Sequence, residues 1–311
     1  MSNRDATGQV PALPVPLQVL GVDAGGSATR AVLVRDGEIL ARFEEPPLNV
    51  LLQTDAHERL AALITASGAA AAGLGLAGLR GRAEAAEMRR RLRIATGVDV
   101  VVVDDTEATL VGAFGDGPGI VVIAGTGSNA FGRDHEGRTA RAGGYGFLVG
   151  DEGSAYWFAS QALRAALHSH DRTGPKSEAL EAAVTAEYGL DFEAIVRLVY
   201  SDPADRQLLA RLARRVMALE HEPVMTAILD AGSDCLVALA QVLRAELHSD
   251  QRTGDLPIAM HGGVFHNPYV RRRFVAATGA AVAARAPEFG AVDLALQDLQ
   301  QRGTRGAARS S

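Results

Sequence analysis

The sequence predicts an α/β protein built from two similar lobes. Three observations lead to this prediction: strand-rich stretches open each half of the chain, helices follow them, and both openings share one pattern. In residues 19–43 and 121–143 an apolar strand runs into a glycine-rich turn, a second strand, an Arg-Asp turn and a third strand. Glycine allows a ligand to approach the backbone closely, so one glycine turn in each lobe indicates a ligand-binding site between the lobes.

The first half of the chain alternates strands and helices. Short β-rich runs lie at 18–23 and 29–34, and the segment RDGEILARF adds a turn and a third strand. An apolar stripe at helical spacing predicts a helix over 54–66, with Thr54 as its capping residue. The remaining predicted elements are a strand at 71–79, a helix at 83–97 closed by Gly97, a buried parallel strand at 98–105 and a helix at 106–114.

In the second half the strand pattern restarts with GIVVIAG and then gives way to helices, until LPIAMHGG (256–263) supplies the last strand signal. The predicted helices are 154–170, 177–189, 192–200, 205–220, 227–247, 267–278 and 292–301. We therefore expect an N-terminal lobe at 17–114, completed by the C-terminal helix 291–302, a C-terminal lobe at 115–290, and disordered tails at 1–16 and 303–311.

Composition excludes several classes of function. The chain has 311 residues, of which 47% are hydrophobic and 22% charged, and its net charge of −6 argues against binding to nucleic acid or to anionic membranes. Its one cysteine, Cys235, cannot form an intramolecular disulfide, and the eight histidines show no zinc-binding spacing. The polar, proline-containing start is unlike a signal peptide, and no apolar run is long enough to span a bilayer. We expect a cytoplasmic protein.

The two glycine turns are candidate phosphate-binding loops. Gly25-Gly26-Ser27 and Gly125-Thr126-Gly127-Ser128 can each point several backbone N–H groups at an anion without interference from a Cβ. Asp23, at the end of the first strand, can hold a Mg²⁺ ion through its waters. Either turn alone is more often an ordinary β-turn. The presence of both, one in each lobe, favours a triphosphate.

Two further glycine segments allow competing interpretations. Gly262 and Gly263 end a strand and precede a helix that opens near Asn267, so this turn can lie against a purine and ribose or be a plain strand-to-helix connection. The segment GLGLAG (73–78) matches the dinucleotide-binding pattern. Its preceding residues form a poor strand and the acids that follow it are nearer 30 residues away than 20, so a Rossmann enzyme is the weaker alternative.

Two pairs of adjacent acids stand where strands or loops meet helices. Asp104 and Asp105 end a buried strand, and either can cap the helix that follows. We interpret one as the cap and Asp105 as the acid that faces a substrate, because strand ends beside a crevice hold ligands in open α/β sheets. Asp151 and Glu152 lie between two glycines, which is more typical of a ligand loop than of a cap.

Five blocks of sequence appear in the order seen in one known family. DAGGSATRAVLV, DDTEATLVGAF, IAGTGSNAFG, GGYGFLVGDEGSAYW and MHGGVFHNP resemble the corresponding motifs of N-acetylglucosamine kinases and the related BadF/BadG-type ATPases, members of the actin–hexokinase–Hsp70 superfamily. The resemblance spans about residues 18–300. It implies a two-lobe, actin-like (ribonuclease H-like) fold with the nucleotide in the cleft between the lobes.

The resemblance also implies roles for individual residues. By this resemblance, the first phosphate loop holds Asp23, Gly25 and Gly26, with Ser27 completing the turn, and the second holds Gly125, Thr126, Gly127 and Ser128. Gly262, Gly263 and Asn267 belong to the adenosine end. Asp105 is the catalytic aspartate, and the sugar site is lined by Asn49, Gly78, Thr126 and Asp151. The chain departs from the family at Ala24, where a glycine is common, and at Ala28, where a basic residue is frequent. Leu51 and Ala142 replace an aromatic residue and a cysteine that contact the N-acetyl group in the animal kinases, so free glucosamine stays open as a substrate.

The resulting functional prediction is an ATP- and Mg²⁺-dependent kinase that phosphorylates an amino sugar, N-acetylglucosamine or glucosamine, at O6. The alternative is a BadF/BadG-type ATPase or nucleotide switch that has no sugar acceptor. One cysteine does not match the iron–sulfur site of the dehydratase activators, and about 17 residues before the first strand are too few for the DNA-binding domain of sugar-responsive repressors. The oligomeric state stays open, a homodimer included.

Overall fold

The computed structural model describes residues 17–79, 81–201, 206–247 and 255–307, with side chains to 302. The first sheet contains β1 (Gln18–Ala24), β2 (Thr29–Arg35), β3 (Glu38–Glu45), β4 (Ala71–Leu76) and β5 (Asp99–Asp104), in the order β3-β2-β1-β4-β5. The second contains β6 (Gly119–Ala124), β7 (Ser128–Arg133), β8 (Thr139–Gly143), β9 (Ile258–His261) and β10 (Ala281–Val282), in the order β10-β9-β6-β7-β8.

Eleven α-helices connect and cover these strands in the described ranges. They are α1 (Ala56–Ser67), α2 (Arg82–Thr96), α3 (Asp105–Phe114), α4 (Ala155–His170), α5 (Glu178–Tyr188), α6 (Phe192–Ser201), α7 (Arg206–Ala210), α8 (Leu212–Met217), α9 (Pro223–Leu247), α10 (Pro268–Thr278) and α11 (Pro287–Ala307). A 3₁₀ turn, Gly263–His266, precedes α10.

The two sheets have the same topology, which confirms the internal repeat seen in the sequence. In each sheet the first three strands form an antiparallel meander, and the last two run parallel to the first strand. A helix follows the last strand of each sheet, α3 after β5 and α11 after β10. The antiparallel meander is not a Rossmann sheet, and Gly73 and Gly75 lie inside β4 instead of in a phosphate turn, so the Rossmann alternative is wrong.

Glycines allow α11 to lie directly on the first sheet and on α3. A Cβ placed on Gly73 would lie 1.8 Å from the carbonyl oxygen of Ala291, and one on Gly21 would lie 1.9 Å from that of Glu288. On the other side of α11, a Cβ on Gly290 would lie 2.0 Å from the carbonyl oxygen of Ala108 in α3. These three positions must therefore be glycine for the helices to pack this closely.

The hydrophobic residues form separate cores around the two sheets. In the first, α1 and α2 cover one face of the sheet and bury residues such as Leu60 and Leu92, while α11 packs on the other face. In the second, α9 packs across β6, β7 and β8. Length and composition alone would let α9 cross a membrane, but here Leu236 and Leu243 on that helix are fully buried in the protein core. Cys235, on the same helix, is half-buried.

Several predicted boundaries differ from the structure. The helix predicted at 205–220 is two short helices, α7 and α8. The two-residue strand β10 was not predicted, because its alanine and valine are exposed and show no strand periodicity. Thr54 does not cap α1, whose N-cap is Asp55 with no side-chain bond. The last helix runs on to Ala307, into the tail predicted at 303–311. Residues 1–16 and 308–311 of the predicted tails lie outside the described residues.

Replacing Gly73 by alanine tests the packing of α11. The new methyl group would overlap the backbone of Ala291, so we expect the free energy of unfolding to fall by about 3 kcal/mol or more. Gly189→Ala is the matched control. Gly189 has a φ of +66° but no atom within 4 Å of the position that a methyl group would take, so the change costs about 1–2 kcal/mol of backbone strain. Urea denaturation measures both values. Equal losses in the two variants would contradict the proposed contact.

Candidate active site

Three parallel strands end at one edge of the first sheet and bring the predicted site residues together. Asp23 lies near the end of β1, Gly78 just after β4 and Asp105 just after β5. The Ala77 N–H donates to the Ala24 carbonyl (2.9 Å), which joins the end of β4 to the end of β1. Ligands bind at such strand ends in open α/β sheets.

Asp104 caps α3 and also joins the two lobes. Its carboxylate accepts a hydrogen bond from the Thr106 N–H (3.0 Å), which confirms that one acid of the pair is the helix cap. The same carboxylate forms an ion pair with Arg141 on β8 of the second sheet. Arg141 also donates to the Thr106 hydroxyl (3.1 Å). Because Asp104 serves these contacts, Asp105 is not needed as the cap.

The cleft between the sheets concentrates negative charge. Burial raises the pKa of Asp105 well above its usual range, and the carboxylates of Asp104 and Asp23 raise it further. Burial likewise raises the pKa of Asp23 to about 7; Glu288 adds to this effect and Arg30 opposes it. Glu288 is itself buried, and its Oε2 atom has no hydrogen-bond partner in the described part of the chain.

This set of carboxylates fits a hydrated divalent cation. Oxygen is the ligand that Mg²⁺ prefers, and Mg²⁺ usually keeps several waters while it contacts one or two carboxylates and substrate phosphates. Among the described residues, no cluster of three or more His, Cys, Asp or Glu side chains could chelate a metal directly. Asp23, at the end of β1, can contact such an ion through its waters, and this role stays a prediction.

The first glycine turn is held by its carbonyl oxygens. The Gly25 carbonyl accepts from the Leu48 N–H (3.2 Å), and the Gly26 carbonyl accepts from the side-chain amide of Gln207 (2.6 Å). Within the described ranges, the N–H groups of Gly26 and Ser27 have no intramolecular acceptor. The turn thus keeps two donors available for an anion.

The second glycine turn is held in the same way by α4. The carbonyl oxygens of Gly125 and Thr126 accept from the first N–H groups of α4, those of Ala155 (2.8 Å) and Tyr156 (3.4 Å). The N–H groups of Thr126 and Gly127 have no acceptor in the part of the chain that the structure describes. A Ser128 hydroxyl bond to the Glu152 carbonyl (2.7 Å) fixes the end of the turn.

Asp151 braces the second turn. Its carboxylate accepts from the N–H groups of Ser128 and Gly146, and a Cβ on Gly127 would lie 2.7 Å from its Oδ2 atom. Asp151 is buried and has a φ of +60°, a strained conformation that is common at functional loops. Burial raises its pKa, while the backbone hydrogen bonds and Arg206 oppose that shift. Its role as a sugar ligand stays a prediction.

The structure brings the three glycine segments together. A Cβ on Gly26 would lie 3.8 Å from the Cβ of Thr126, so the first and second turns face each other across the cleft. A Cβ on Gly262 would lie 2.4 Å from the carbonyl oxygen of Ala124, which places this segment against the second turn. The space beside Gly263 is open.

Asn267 has a sufficient structural role as the N-cap of α10. Its side-chain oxygen accepts from the N–H groups of Tyr269 and Val270, and its side-chain amide donates to the Met217 carbonyl (2.9 Å). These contacts explain the asparagine without a ligand, and its role at the adenosine end stays a prediction.

The predicted sugar residues of the first lobe are adjacent. The Asn49 side-chain oxygen accepts from the Leu51 N–H (3.0 Å), and a Cβ on Gly78 would lie 2.3 Å from that oxygen. Gly78 has a φ of +90°, so glycine is required for both its conformation and its contact. Leu51 is exposed, whereas Ala142 packs against the core of the second lobe.

Sequence patterns did not reveal three polar residues of the cleft. All three come from the second lobe: Arg141 and Gln207 bond to Asp104 and to Gly26, and Arg206 lies next to the first glycine turn. Arg206 and Gln207 lie in a segment that resembles an ordinary amphipathic helix, and no local signal marks them. Their position depends on how the two lobes pack.

Asp23→Asn should stabilise the ligand-free protein at pH 8. Folding raises the pKa of Asp23 from 3.8 to about 7, so the folded protein favours the protonated carboxyl group. The stability of the fold relative to the unfolded chain therefore decreases as the pH rises from about 4 to about 7. Asparagine avoids this loss. We expect Tm to rise by roughly 3–6 °C at pH 8 and hardly to change at pH 4.

Thermal unfolding without nucleotide and Mg²⁺ measures the effect, with the exposed Asp171→Asn as the control. A lower Tm for Asp23→Asn at pH 8, or the same change at both pH values, would contradict the charge burial.

Comparison with known proteins agrees with the geometry. Residues 20–295 match the model of the BadF/BadG/BcrA/BcrD ATPase family. A curated relative, the N-acetylmuramic acid/N-acetylglucosamine kinase of Clostridium acetobutylicum, is 40% identical over 123 residues, or 38% of each chain. The matched part therefore spans about two fifths of the length of that relative.

Two solved structures match nearly the whole chain. A candidate N-acetylglucosamine kinase from Chromobacterium violaceum has a TM-score of 0.73 and 28% identity, covering 89% of this chain and 98% of that one. A ROK family glucokinase from Streptomyces griseus, in complex with glucose and AMPPNP, has a TM-score of 0.60 and 17% identity, covering 90% and 99%, and shows the fold alone. These likenesses confirm the predicted two-lobe, actin-like fold. Since the family model spans most of the sequence, the chain belongs to the BadF/BadG/BcrA/BcrD ATPase family.

Proposed function

We propose that this protein is an ATP-dependent kinase that transfers the γ-phosphoryl group to a hydroxyl, O6, of an amino sugar. The observation that carries the proposal is the position of Asp105. This acid, free of the capping role, lies in the cleft where the ends of β1, β4 and β5 meet, and its pKa is raised. A carboxylate with a raised pKa is a better proton acceptor than an ordinary one.

The two glycine turns would bind the phosphates of ATP. The N–H groups of Gly26, Ser27, Thr126 and Gly127 have no acceptor in the described ranges, and the two turns lie next to each other, which suits a polyanion. The open space beside Gly263 would receive the adenosine, next to the second turn. Mg²⁺, held by Asp23 through water, would neutralise phosphate charge when bound.

The sugar would lie between Asp105 and the first-lobe pair Asn49 and Gly78. Phosphoryl transfer has a loose transition state, so the protein mainly positions the groups and neutralises charge. Asp105 would orient the acceptor hydroxyl and take its proton late in the reaction. Asp151 and Thr126 would complete the sugar site from the second lobe.

The names of the relatives support an amino sugar, either N-acetylglucosamine or N-acetylmuramic acid, and glucosamine belongs in the same test. Because ATP is the donor, we propose a cytoplasmic location.

ADP release tests the function directly. The assay uses ATP and Mg²⁺ with N-acetylglucosamine, glucosamine, N-acetylmuramic acid or no sugar, and mass spectrometry identifies the product. Sugar-dependent ADP release with a matching sugar phosphate supports the kinase. ADP release that no sugar stimulates would favour the alternative, an ATPase without a sugar acceptor.

Asp105→Asn should lower kcat by roughly 10²–10⁴-fold, the usual contribution of a general base. Asparagine keeps the shape but cannot take the proton, so ATP affinity should hardly change. Asp104→Asn is the matched control: it keeps an oxygen for the Thr106 N–H and leaves Asp105 in place, although it loses the ion pair with Arg141 and the charge that raises the pKa of Asp105. Its loss of kcat should therefore be much smaller. Steady-state kinetics on both variants checks this. Normal turnover by Asp105→Asn would show that the base is another group.

Gly125→Ala should weaken ATP binding without unfolding the protein. A Cβ at Gly125 meets no protein atom within 4 Å and the residue does not have a positive φ, so any effect reports on space that a ligand uses. The methyl group would keep phosphate oxygens away from the N–H groups of Thr126 and Gly127, so we expect ATP affinity to fall roughly tenfold or more, the effect of losing a hydrogen bond to a charged group. Calorimetric titration with ATP measures it, with the Tm as the folding control. Unchanged affinity in a folded variant would remove the second turn from the phosphate site.

A further inference from the structure

A cation of the second lobe reaches the first glycine turn. Arg206 is the first residue of α7, and its Nη2 atom lies 3.5 Å from the position of a Cβ on Gly26. The same Gly26 position lies 3.8 Å from the Cβ of Thr126. The guanidinium is therefore close to the point where the two glycine turns face each other.

Neighbouring groups hold Arg206 in this position. Its guanidinium carbon lies 5.8 Å from the centre of the Phe147 ring, a distance that permits a cation–π contact. The next residue, Gln207, donates to the Gly26 carbonyl (2.6 Å) and so fixes the start of α7 against the first turn. Asp151 is an acid on which the charge of Arg206 acts, and no acid of the described ranges forms an ion pair with Arg206 within 4 Å.

The charges of the cleft create a need for such a cation. The acids Asp23, Asp105 and Asp151 already face this region, and ATP would add several negative charges. Of the nearby arginines, Arg141 is paired with Asp104, and Arg30, which lies opposite Asp23 on β2, acts on the Asp23 carboxylate. The first turn itself has an alanine at 28, so it supplies backbone N–H groups but no positive side chain.

We propose that Arg206 binds the terminal phosphate of ATP and remains on that phosphoryl group during transfer. This inference rests on the proposed function and adds one catalytic residue to it. Guanidinium presents several N–H donors in a rigid plane that matches phosphate oxygens, and it keeps its charge at every physiological pH. A donor fixed on the transferring group stabilises the charge that develops on its oxygens.

The competing role for Arg206 is to stabilise the negative charge of Asp151, because the guanidinium opposes the rise that burial causes in the pKa of that carboxyl group. The two roles differ in what they affect. A residue that binds the terminal phosphate discriminates ATP from AMP, whereas a residue that acts through Asp151 alters the position of that side chain and its ligand without this discrimination.

Nucleotide binding to Arg206→Gln tests the proposal. Calorimetric titrations with AMP and with the non-hydrolysable analogue AMPPNP, both with Mg²⁺ and no sugar, compare wild type, Arg206→Gln and Arg206→Lys. We expect Arg206→Gln to lose roughly tenfold or more in AMPPNP affinity and to keep its AMP affinity, and Arg206→Lys to lose less. The matched control is Arg197→Gln, an exposed arginine of α6 paired with Glu193, which should bind both nucleotides normally.

A charge-relocation variant separates binding from folding. Ala28→Arg added to Arg206→Gln returns a cation to the first turn, and we expect it to recover part of the AMPPNP affinity. In the kinase assay Arg206→Gln should also lose roughly 100-fold in kcat, the usual effect of removing a transition-state donor. Unchanged AMPPNP affinity in a folded Arg206→Gln, or an equal loss for AMP, overturns the proposal. If wild type phosphorylates no sugar, the proposed function fails, while the nucleotide titrations still decide the role of Arg206.

Discussion

The arrangement of the cleft depends on the close backbone packing of α11 between the first sheet and α3. Gly21 and Gly73 let this helix lie directly on β1 and β4, and Gly290 lets α3 lie on its other side. This packing buries Glu288, at the start of α11, within electrostatic reach of Asp23. It also sets the start of α3, and with it Asp105, beside the same edge of the sheet. The burial that shifts the acid pKa values is thus a consequence of helix packing.

The two lobes share a scaffold but supply different chemistry. Ala24 pairs with Thr29 in the first sheet as Ala124 pairs with Ser128 in the second, so Ile123 occupies the position that corresponds to Asp23. An acid at this strand position therefore occurs in the first lobe only. The first lobe provides Asp23 and Asp105, whereas the second lobe provides the other set of backbone donors and the proposed phosphate-binding arginine. A repeated fold becomes an asymmetric site, as a reaction between two different ligands requires.

Preorganisation is built into both glycine turns. In each turn, carbonyl oxygens are bonded to groups from another element, Gln207 for the first turn and the start of α4 for the second. With the carbonyls held in this way, the remaining N–H groups are left for a ligand. The cost of ordering these dipoles is met during folding, so they stabilise developing charge without rearranging during the reaction. Asp151 also fixes the second turn, because its carboxylate occupies the space next to Gly127.

Local sequence patterns by themselves determined the repeat, most of the strands, both glycine turns and the presence of a helix cap in the Asp104–Asp105 pair, because each of these depends on backbone preference and the periodicity of burial over a few residues. Tertiary structure decided the rest. The division of 205–220 into two helices and the exposed strand β10 leave no periodic signal. The bond from Gln207 to Gly26 joins residues 181 positions apart, and Arg206 faces the first turn for the same reason. Which arginine enters the cleft is set by the packing of one lobe on the other, which no local pattern encodes.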